Sequence, residues 1–418
     1  MLLDWLSTDG KLILSARVIR TFAYGFLSIV LAIYLKLLGF NDVLIGVVLT
    51  ATLVNSVIFT LIASFYADRI GRRKTLIIYA ALMSIAGAIF LSTENYFALI
   101  AAALVGTINV TGSETGAFLS IEQALLPQTV KNNKKRNTVF ALYNMAGTFA
   151  MSAGVLLSGL PTILQEQYAM NQVESIKPLF LLYSALGIGV IGIYFMLSNK
   201  IEVLLSGNTA NKPVTQTLSP QSKQIVGKLS GLFAVDSFAG GFVIQSIVSL
   251  WFFTKFGVDL AAISVIFSVA GVLTAFSFFA AAKIADRIGL VNTMVFTHIP
   301  SNVFLILVGF APSLPLAIAF YLARMTLSQM DVPTRQSYIV AVVSEDERTP
   351  AAGITNISRN ISQAVSPSLT GYILQILPAL SAPFILGGAL KIAYDIALYV
   401  NFRKIKPSEE EEEEEKHD

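Results

Sequence analysis

Of the 418 residues of the chain, 55% are hydrophobic and only 13% carry a charge, whereas an ordinary soluble domain has about 25% charged residues, so a soluble protein is excluded. The chain has no cysteine and only two distant histidines, His298 and His417, which excludes disulfides, thiol catalysis and a histidine-built metal site. The net charge of +3 is small and gives no case for nucleic-acid binding.

Twelve apolar runs follow one another along the chain, and each can cross a bilayer as a helix, which takes roughly 20 residues. The runs lack the alternating pattern of lipid-facing strands, so helices rather than a barrel are predicted. They form two groups of six. We therefore predict an all-α membrane protein of twelve transmembrane helices in two pseudo-symmetric six-helix bundles. The predicted spans are 11–36, 42–66, 75–93, 97–126, 138–165, 178–198, 225–255, 260–282, 290–310, 314–343, 350–376 and 383–402.

The polar segments between and after these runs define the predicted domains. Segment 199–224 is the one long polar stretch inside the chain, and its turn-forming residues suit a cytoplasmic linker. Seven consecutive glutamates follow Ser408, and such a run is expected to be solvated and disordered. The N-terminus lacks the basic start of a signal peptide, so the first span is expected to be retained. The predicted domains are an N-terminal bundle 1–198, the linker 199–224, a C-terminal bundle 225–403 and an acidic tail 404–418.

A basic turn, Asp68-Arg69-Ile70-Gly71-Arg72-Arg73-Lys74, lies between the second and third spans. Short loops rich in Lys and Arg stay on the cytoplasmic side, so the turn and, with an even number of spans, both termini are predicted to be cytoplasmic. A shorter copy, Asp286-Arg287-Ile288-Gly289, follows the eighth span at an offset of 218 residues (286 − 68). We therefore expect a multi-pass protein of the cytoplasmic membrane.

Other residues repeat at offsets between 212 and 218 residues, in register with the count of spans. The most informative pair is Arg20 in the first span and Asp236 in the seventh, which are equivalent positions of opposite charge. Duplication of a six-span unit explains these matches and gives both halves the same orientation, with a symmetry axis along the membrane normal. The remaining pairs are Arg136 with Arg348, Asn144 with Asn356, and Gln123 with Gln336.

The basic turn after the second of twelve spans resembles the signature loop of the major facilitator superfamily, and the resemblance extends over 11–403. Ser64 stands where the family signature has a glycine, and the second copy lacks the paired basic residues. The resemblance implies a secondary transporter with one central site between the two bundles. Such a protein alternates between inward-open and outward-open states.

The duplicated turn is predicted to gate these two states. Asp68 can pair with Arg72 or bind a neighbouring helix end and so lock one state, as a bistable latch between bundles. The alternative is that the basic residues only determine the topology. The predicted gating residues are Asp68, Arg69, Gly71, Arg72, Asp286, Arg287 and Gly289.

Two predicted spans carry a charge near the middle of the membrane, where each ionisable residue costs about 2.5–3.5 kcal/mol on insertion scales and is a functional candidate. Arg20 lies roughly 14 Å and Asp236 roughly 16 Å from the cytoplasmic end of its span, at 1.5 Å per residue. We expect them either to pair in one state or to bind opposite ends of a polar substrate. The alternative is that each is satisfied within its own bundle.

The fourth span carries Glu114 about twelve residues from its cytoplasmic end, close to the midplane. Desolvation there favours a neutral carboxyl, so Glu114 is our first candidate for proton coupling. A static ion pair with Arg17 or Arg20 is its alternative role. Helical spacing places Thr111, Glu114 and Glu122 near one face, and Glu122 is predicted to pair with Arg17.

The tenth span has four polar residues, Arg324, Ser328, Asp331 and Arg335, that a continuous helix would place on one stripe facing a cavity or the opposite bundle. Either Asp331 pairs with Arg335 one turn away, or Arg324 binds the anionic part of a substrate and Asp331 is a second protonation site.

Three more spans contribute polar side chains. Asn144 and Asn356, in the fifth and eleventh spans, are predicted to contact the substrate. Lys391 and Asp395 lie four residues apart in the twelfth span and are predicted to pair with each other.

These features predict a proton-coupled transporter of a small organic molecule. Gly147, Gly154, Gly159 and Pro161 in the fifth span loosely resemble the glycine-rich motif of the family's drug antiporters, which slightly favours export. The alternatives are proton-driven uptake of a sugar or organic acid, a channel, and a non-transporting sensor. An ATP-driven pump or enzyme is not expected, because the sequence has no phosphate-binding loop motif. The expected partners are a small-molecule substrate, protons and the lipid bilayer, with no cofactor and no nucleic acid, and we expect a monomer.

Overall fold

The computed structural model describes residues 5–114, 116–130, 136–202, 218–344, 347–376, 380–403 and 405. The centre of the predicted linker, 203–217, lies outside the described residues. So do the predicted acidic tail, apart from Ile405, and the basic stretch 131–135.

The described residues form sixteen α-helices, which account for the twelve predicted spans. Eight spans are single helices, whereas the fourth, fifth, seventh and tenth are each divided into two consecutive helices. The helices are α1 (Thr8–Leu37), α2 (Asp42–Ile70), α3 (Arg72–Ser92), α4 (Tyr96–Val105), α5 (Ala117–Leu125), α6 (Arg136–Leu157), α7 (Leu160–Tyr168), α8 (Gln172–Phe195), α9 (Pro220–Gly241), α10 (Gln245–Phe256), α11 (Leu260–Ile288), α12 (Leu290–Phe310), α13 (Leu314–Leu327), α14 (Asp331–Ala341), α15 (Arg348–Ile376) and α16 (Ala382–Phe402).

Strand structure within the described residues is limited to one isolated antiparallel bridge between Leu6 and Val130. Nine stretches of the described chain are long and apolar enough to cross a membrane. Of the other predicted spans, α4 and α13 are apolar but short, and α15 is long but too polar to be among the nine.

Large apolar side chains lie exposed on the outer faces of many helices. Phe97, Ile188 and Phe310 each expose more than half of their surface. On a soluble protein this would be an aggregation hazard, but a hydrocarbon solvent satisfies such side chains. The exposure therefore agrees with a multi-pass membrane protein.

The local structure around the two copies of the basic turn is the same. Helices α2 and α11 each have 29 residues, and α3 and α12 each have 21. Between them Gly71 and Gly289 have φ of 104° and 81°, a conformation that glycine adopts without steric cost. The hydroxyl of Thr75 donates to Gly71 O at 2.9 Å, and that of Thr293 donates to Gly289 O at 2.8 Å. The predicted repeat is confirmed at the level of this turn.

The chain divides into two compact units, Met1–Ser206 with Ile244–Gly271, and Gly207–Val243 with Val272–Asp418. The predicted domain boundaries, which follow chain order, stay a prediction.

In the first unit, α1 packs against α6, α8 and α10. Glycines let α1 and α6 approach closely, because a methyl group on Gly25 would meet the carbonyl oxygen of Met151 and one on Gly154 would meet that of Phe22. The aromatic and aliphatic core of this unit includes Leu76, Tyr79 and Val190.

In the second unit, α9 packs against α15, and α12 packs against α16. A glycine again permits the contact, since a methyl group on Gly241 would meet the side chain of Ser366. The core of this unit includes Leu229, Phe233, Met294 and Leu398.

Candidate functional site

The fourth predicted span is interrupted between α4 and α5, where the described residues, 106–114 and 116, are not helical. Gly112 and Gly116 have φ of 81° and 112°, which favours glycine at both positions. The prediction that Thr111, Glu114 and Glu122 share a helical face is therefore wrong. That prediction assumed a helix through residues that are not helical.

Side chains and neighbouring backbone bind three of the peptide carbonyls of this interrupted segment. Tyr183 Oη donates to Thr107 O at 3.0 Å, and Ser246 N donates to Val110 O at 3.2 Å. Asn109 Nδ2 donates to Ser113 O at 2.7 Å. Unpaired peptide groups are costly at membrane depth, and these bonds hold the segment in place.

Glu114, in the interrupted segment, binds two arginines of α1. Its Oε1 accepts from Arg20 Nη2 at 2.8 Å, and its other oxygen binds Arg17 Nη1. Arg20 is fully buried and also makes two bonds to Glu122, at 2.7 and 2.8 Å. The predicted pairing of Glu122 with Arg17 is therefore wrong, since Glu122 binds Arg20 and Arg17 binds Glu114. Arg17 Nε donates instead to the carbonyl of Tyr143 at 2.9 Å.

Aromatic side chains enclose this group of four charges. Tyr143 and Tyr194 donate their hydroxyls to the two oxygens of Glu122, at 2.6 and 2.7 Å. The guanidinium of Arg17 lies 3.8 Å from the centroid of the Tyr143 ring, and that of Arg20 lies 4.2 Å from the Phe118 ring. We call Arg17, Arg20, Glu114 and Glu122 the first charge cluster. It contains two cations and two carboxylates, and every one of them has a partner of opposite charge.

The second unit has a larger buried group of charges around Asp236 of α9. Lys391 Nζ donates to Asp236 Oδ1 at 2.5 Å, and Arg335 Nη1 lies 3.7 Å from Asp236 Oδ2. Arg335 also forms an ion pair with Asp331, as one of the two sequence hypotheses for these residues expected. Asp236 thus has partners within its own unit, as has Arg20.

The predicted pairing of Lys391 with Asp395 is wrong. Asp395 is bound instead by two residues of α12, with His298 Nδ1 at 2.8 Å from Oδ1 and Asn302 Nδ2 at 3.1 Å from Oδ2. His298 Nε2 is 3.9 Å from Asp236, so the imidazole lies between two carboxylates. Among the described residues no group of acidic and histidine side chains has the arrangement of a metal site.

His298, Asn302 and Tyr194 were not predicted from the sequence as residues of a charge cluster. A signal for the first two was present, because His298 and Asn302 are four residues apart on one span, as are Lys391 and Asp395 on another. Residues at this spacing face the same side of a helix. Two such pairs on separate apolar spans indicate polar faces that contact each other.

The tenth predicted span is also divided, since α13 ends at Leu327 and α14 begins at Asp331. Arg324 and Asp331 therefore do not lie on one continuous helical stripe, because that prediction carried helical spacing across the break. Arg324 has no ion pair within the described residues, and its buried Nε has no hydrogen-bond partner. Arg359 of α15 likewise has no ion pair in the described part of the chain. We call the eight residues of this region the second charge cluster: Asp236, His298, Arg324, Asp331, Arg335, Arg359, Lys391 and Asp395.

The two remaining predicted substrate residues belong to neither charge cluster. Asn144 on α6 and Asn356 on α15 have exposed side chains.

In the first copy of the basic turn, Asp68 Oδ1 accepts from Arg72 Nε at 2.7 Å. Glu202 accepts the backbone N–H groups of Arg72 at 2.7 Å and Arg73 at 3.1 Å. A carboxylate at a helix N-terminus is stabilised by the unpaired N–H groups and the helix dipole. Glu202 therefore ties the start of α3 to the segment after α8, a contact that the sequence analysis missed. In the second copy, Asp286 and Arg287 are exposed.

Glu347 holds the start of α9 in the second unit. Its carboxylate accepts from the hydroxyls of Ser222 at 2.5 Å and Ser344 at 2.6 Å, and from the backbone N–H of Ser219. These hydrogen bonds, that from Ser222 foremost, favour the charged form and lower the pKa of Glu347 to about 2.

Comparisons with known proteins agree on a family. The family model described as Major Facilitator Superfamily matches residues 13–221 and 230–418. A relative from Saccharomyces cerevisiae, described as an uncharacterized membrane protein, is 27% identical over 424 residues, which cover 95% of this chain and 94% of that protein.

Several solved structures share the fold. The nucleoside transporter NupG matches with a TM-score of 0.72 and 14% identity, covering 96% of this chain and 100% of its own. A D-xylose-proton symporter matches with a TM-score of 0.71 and 13% identity, over 95% and 98% of the two chains. The human organic anion transporter MFSD10 matches with a TM-score of 0.63 and 15% identity, over 93% and 98%. At these identities the likeness is one of fold.

Proposed function

This chain belongs to the Major Facilitator Superfamily, and on that premise we propose that it is a proton-coupled secondary active transporter that moves a small organic molecule by alternating access. The observation that carries the proposal is the pair of buried charge clusters in an otherwise apolar membrane protein. Buried charges in a membrane are costly and mark substrate or ion pathways. The substrate-contacting residues that we propose are Arg20, Glu114, Asp236, Arg324, Asp331, Asn144 and Asn356.

Glu114 is the coupling carboxylate that we propose in the first charge cluster. It bridges Arg17 and Arg20 of α1, so protonation would weaken two ion pairs at once. The other groups around these two arginines are Glu122 of α5, which binds Arg20, and Tyr143 of α6 and Tyr194 of α8, which donate their hydroxyls to Glu122. Glu122 would keep Arg20 in place when Glu114 is released, because it binds Arg20 through both of its oxygens.

The interrupted segment gives Glu114 the freedom that this role requires. A carboxylate on a continuous helix moves only with the whole helix, whereas the backbone around Glu114 has glycines at 112 and 116. Loss of the two ion pairs would let this segment shift without unfolding α4 or α5. Protonation of one side chain would then be linked to a change in the lining of the first unit.

Gating by the duplicated turn belongs to the same proposal. The Asp68–Arg72 ion pair and the bond of Glu202 to the start of α3 form one contact network at the end of the second span. Breaking it would free the α2–α3 connection during a change of state. We propose that the protein works as a monomer in the cytoplasmic membrane with both termini inside.

Export by proton antiport is the direction that the glycines of the fifth span favour in the sequence. Packing explains two of them, because Gly147 faces the Arg17 guanidinium and Gly154 faces the Phe22 carbonyl. A second candidate direction is uptake of an organic acid together with a proton. Arg324 and Arg359, which have no ion pair in the described residues, favour it. The two directions differ in whether an inward proton gradient empties or fills the vesicle.

Transport by proteoliposomes with an imposed pH gradient tests the proposal, using labelled nucleosides, pentoses and organic acids as probes. We expect gradient-driven movement of at least one class. Glu114→Gln should lose the gradient-driven accumulation and retain counterflow exchange of the same compound. The control is Glu174→Gln, which removes an exposed carboxylate paired with Lys177.

Two outcomes contradict the proposal. Passive flux without counterflow exchange would indicate a channel, and no flux of any probe would favour the sensor. Full gradient-driven accumulation by Glu114→Gln would leave a transporter but remove Glu114 from its coupling.

A further inference from the structure

The two charge clusters differ in their balance of charge. In the first cluster two arginines face two glutamates, and each guanidinium is bound by a carboxylate. The second cluster has four cations, Arg324, Arg335, Arg359 and Lys391, but only three carboxylates, Asp236, Asp331 and Asp395. The second charge cluster, counted without His298, therefore has one more cation than it has carboxylates.

All three carboxylates of the second charge cluster already have partners. Lys391 and Arg335 share Asp236, Arg335 also binds Asp331, and Asp395 is held by His298 and Asn302. Each acidic group is thus bound by residues other than Arg324 and Arg359. The positive excess is located on these two arginines.

Arg324 has only a weak hydrogen-bond acceptor among the described residues. Its half-buried side chain gives one N–H to the thioether of Met325, with Nη1 3.2 Å from Sδ, and a thioether is only a weak acceptor. Its Nε is closed off from solvent and has no hydrogen-bond partner among the residues that the structure describes. An N–H group that is closed off from solvent and has no acceptor is costly unless a ligand supplies the missing acceptor.

Arg359 lies on α15. Its guanidinium interacts electrostatically with Arg335, Asp236, Asp331 and Tyr394. Arg324 also lies in the surroundings of Asp236. Asp236 is thus the carboxylate whose charge acts on both arginines, and it is already bound by Lys391. A guanidinium presents a planar fork of N–H donors that matches carboxylate and phosphate oxygens.

We propose that Arg324 and Arg359 bind the anionic group of a small organic acid or phosphate ester in the second unit. A single bound anion would make the number of negative groups equal to the four cations and would supply acceptors that both side chains lack within the described part of the chain. The identification of this anion as the transported molecule rests on the proposed function, whereas its binding does not. The remaining buried charges would keep their present partners.

The unliganded protein gives the first test. Removing a buried charge that has no partner relieves a cost, whereas removing one member of a buried pair creates one. Arg324→Gln and Arg359→Gln should therefore unfold at the native temperature or above it. Arg335→Gln, which leaves Asp331 unpaired, should unfold at a clearly lower temperature. If Arg324→Gln and Arg359→Gln are destabilised as much as Arg335→Gln, these arginines have structural partners and the proposal is overturned.

Ligand binding to the full chain in detergent gives the second test, with probes in pairs of which one member carries an anionic group and the other is its uncharged counterpart. Suitable pairs are benzoate with benzamide, glucuronate with glucose, and glycerol phosphate with glycerol. We expect the anionic member of at least one pair to raise the unfolding temperature of the native chain while the neutral member has no effect. The carboxylate and phosphate pairs distinguish the two kinds of anion.

The variants show whether the arginines are responsible. In Arg324→Gln and in Arg359→Gln the affinity for the stabilising anion should fall roughly tenfold or more, since a hydrogen bond to a charged group is lost. Arg403→Gln is the matched control, because Arg403 is exposed beyond α16. Equal stabilisation by both members of every pair, no stabilisation by any anion, or unchanged anion binding in both variants overturns the proposal.

Transport measurements in proteoliposomes, compared with anion binding, test this inference independently of the proposed function. If the anion binds through Arg324 and Arg359 but does not cross the membrane, the anion site stands and the transport proposal fails. If a neutral or cationic probe is transported and no anion binds, the transport proposal stands and the anion site fails.

Discussion

Glu122 holds the Arg20 guanidinium with both of its oxygens and accepts a hydrogen bond from each of two tyrosines. Neither Arg20 nor Glu122 exposes any surface. Glu122→Gln would leave a buried guanidinium partly unpaired, and loss of one partner of a buried pair costs about 3–5 kcal/mol. We expect a loss of that size in the free energy of unfolding, measured by denaturant titration in detergent.

Glu174→Gln is the comparison for this prediction, because it removes a carboxylate from an ion pair at the protein surface. Exposed pairs contribute about 0–1 kcal/mol, so its unfolding should be almost native. Equal effects of the two substitutions would mean that the Arg20–Glu122 pair is not buried as described.

A second prediction for a single residue concerns the stability of the protein at low pH. The folded protein lowers the pKa of Glu347 to about 2, below the value of about 4.3 for an unperturbed glutamate. The stabilisation by Glu347 is therefore complete above pH 4.3 and is lost as the pH falls towards 2. The difference in unfolding temperature between the native chain and Glu347→Gln should be constant near pH 6 and shrink progressively below pH 4.

Glu166→Gln is the control, since Glu166 is exposed on α7 and its replacement should give no such trend. A difference between the native chain and Glu347→Gln that stays constant down to pH 3 would contradict the prediction.

Sequence reasoning identified most of the charged residues that matter but not all of their partners. Glu114, Arg20 and Asp236 are conspicuous because an apolar span surrounds each of them. Their partners depend on how helices pack, and Lys391 shows the difficulty. A neighbour four residues away was the natural partner for Lys391, yet the tertiary contact with Asp236 is the one that forms.

At the scale of the helices, α1 and α6 pack with their backbones close together because glycines stand at the contact. A methyl group on Gly154 would meet the carbonyl oxygen and carbon of Phe22, which are backbone atoms and cannot rotate away. Gly154→Ala should push the two helices apart at a cost of about 1–3 kcal/mol, as overpacking of a core does. Thermal unfolding in detergent measures the effect.

Gly189 of α8 offers a matched control, because it has no atoms within 4 Å of the position of an added methyl group. Gly189→Ala should be neutral or stabilise the helix by up to about 1 kcal/mol. A stable Gly154→Ala would show that α1 and α6 can separate freely.

The positions of the helices could be predicted, but their interruptions could not. Hydropathy identifies a stretch that crosses hydrocarbon, and a broken helix is as apolar as a continuous one. The fourth span illustrates this, since Gly106, Gly112 and Gly116 recur in it but single glycines are also common in unbroken membrane helices. What distinguishes the interrupted segment is its set of acceptors and donors, such as Tyr183 and Ser246, which lie far away in sequence.

At the scale of the whole molecule, the duplicated turn predicts that both halves have the same orientation. The chain has no cysteine, so single cysteines can be introduced and labelled without background. Lys74→Cys and Lys283→Cys should be protected from a membrane-impermeant thiol reagent in intact cells. Glu94→Cys and Ser313→Cys should react, because they follow the opposite ends of α3 and α12.

All four positions are exposed on the protein surface, so protection reports the side of the membrane and not burial. Labelling of Lys74→Cys and Lys283→Cys from opposite sides would contradict a same-orientation repeat. Permeabilised cells, in which all four variants should react, provide the control.

The fold class is the part that could be predicted in full, because it rests on features repeated over hundreds of residues. The spacing of twelve apolar runs and the recurrence of one turn at an offset of 218 residues (289 − 71) can be recognised even where a single helix is predicted wrongly. Which cations of the second charge cluster are without an ion pair in the described residues could not be predicted, since this depends on which carboxylates Lys391 and Arg335 bind.

The interrupted segment 106–116 also has a practical consequence. Amide hydrogens in a membrane helix exchange with deuterium very slowly, because each is bonded within the helix and shielded by lipid. The described peptide N–H groups between α4 and α5 lack the helical ladder, and only a few hydrogen bonds, such as that from Thr111 N to Asn109 Oδ1, replace it. Deuterium should therefore enter the fourth span at this segment, and a ligand that contacts Glu114 should slow its uptake there. Mass spectrometry of this one peptide would then report occupancy of the protein without any label.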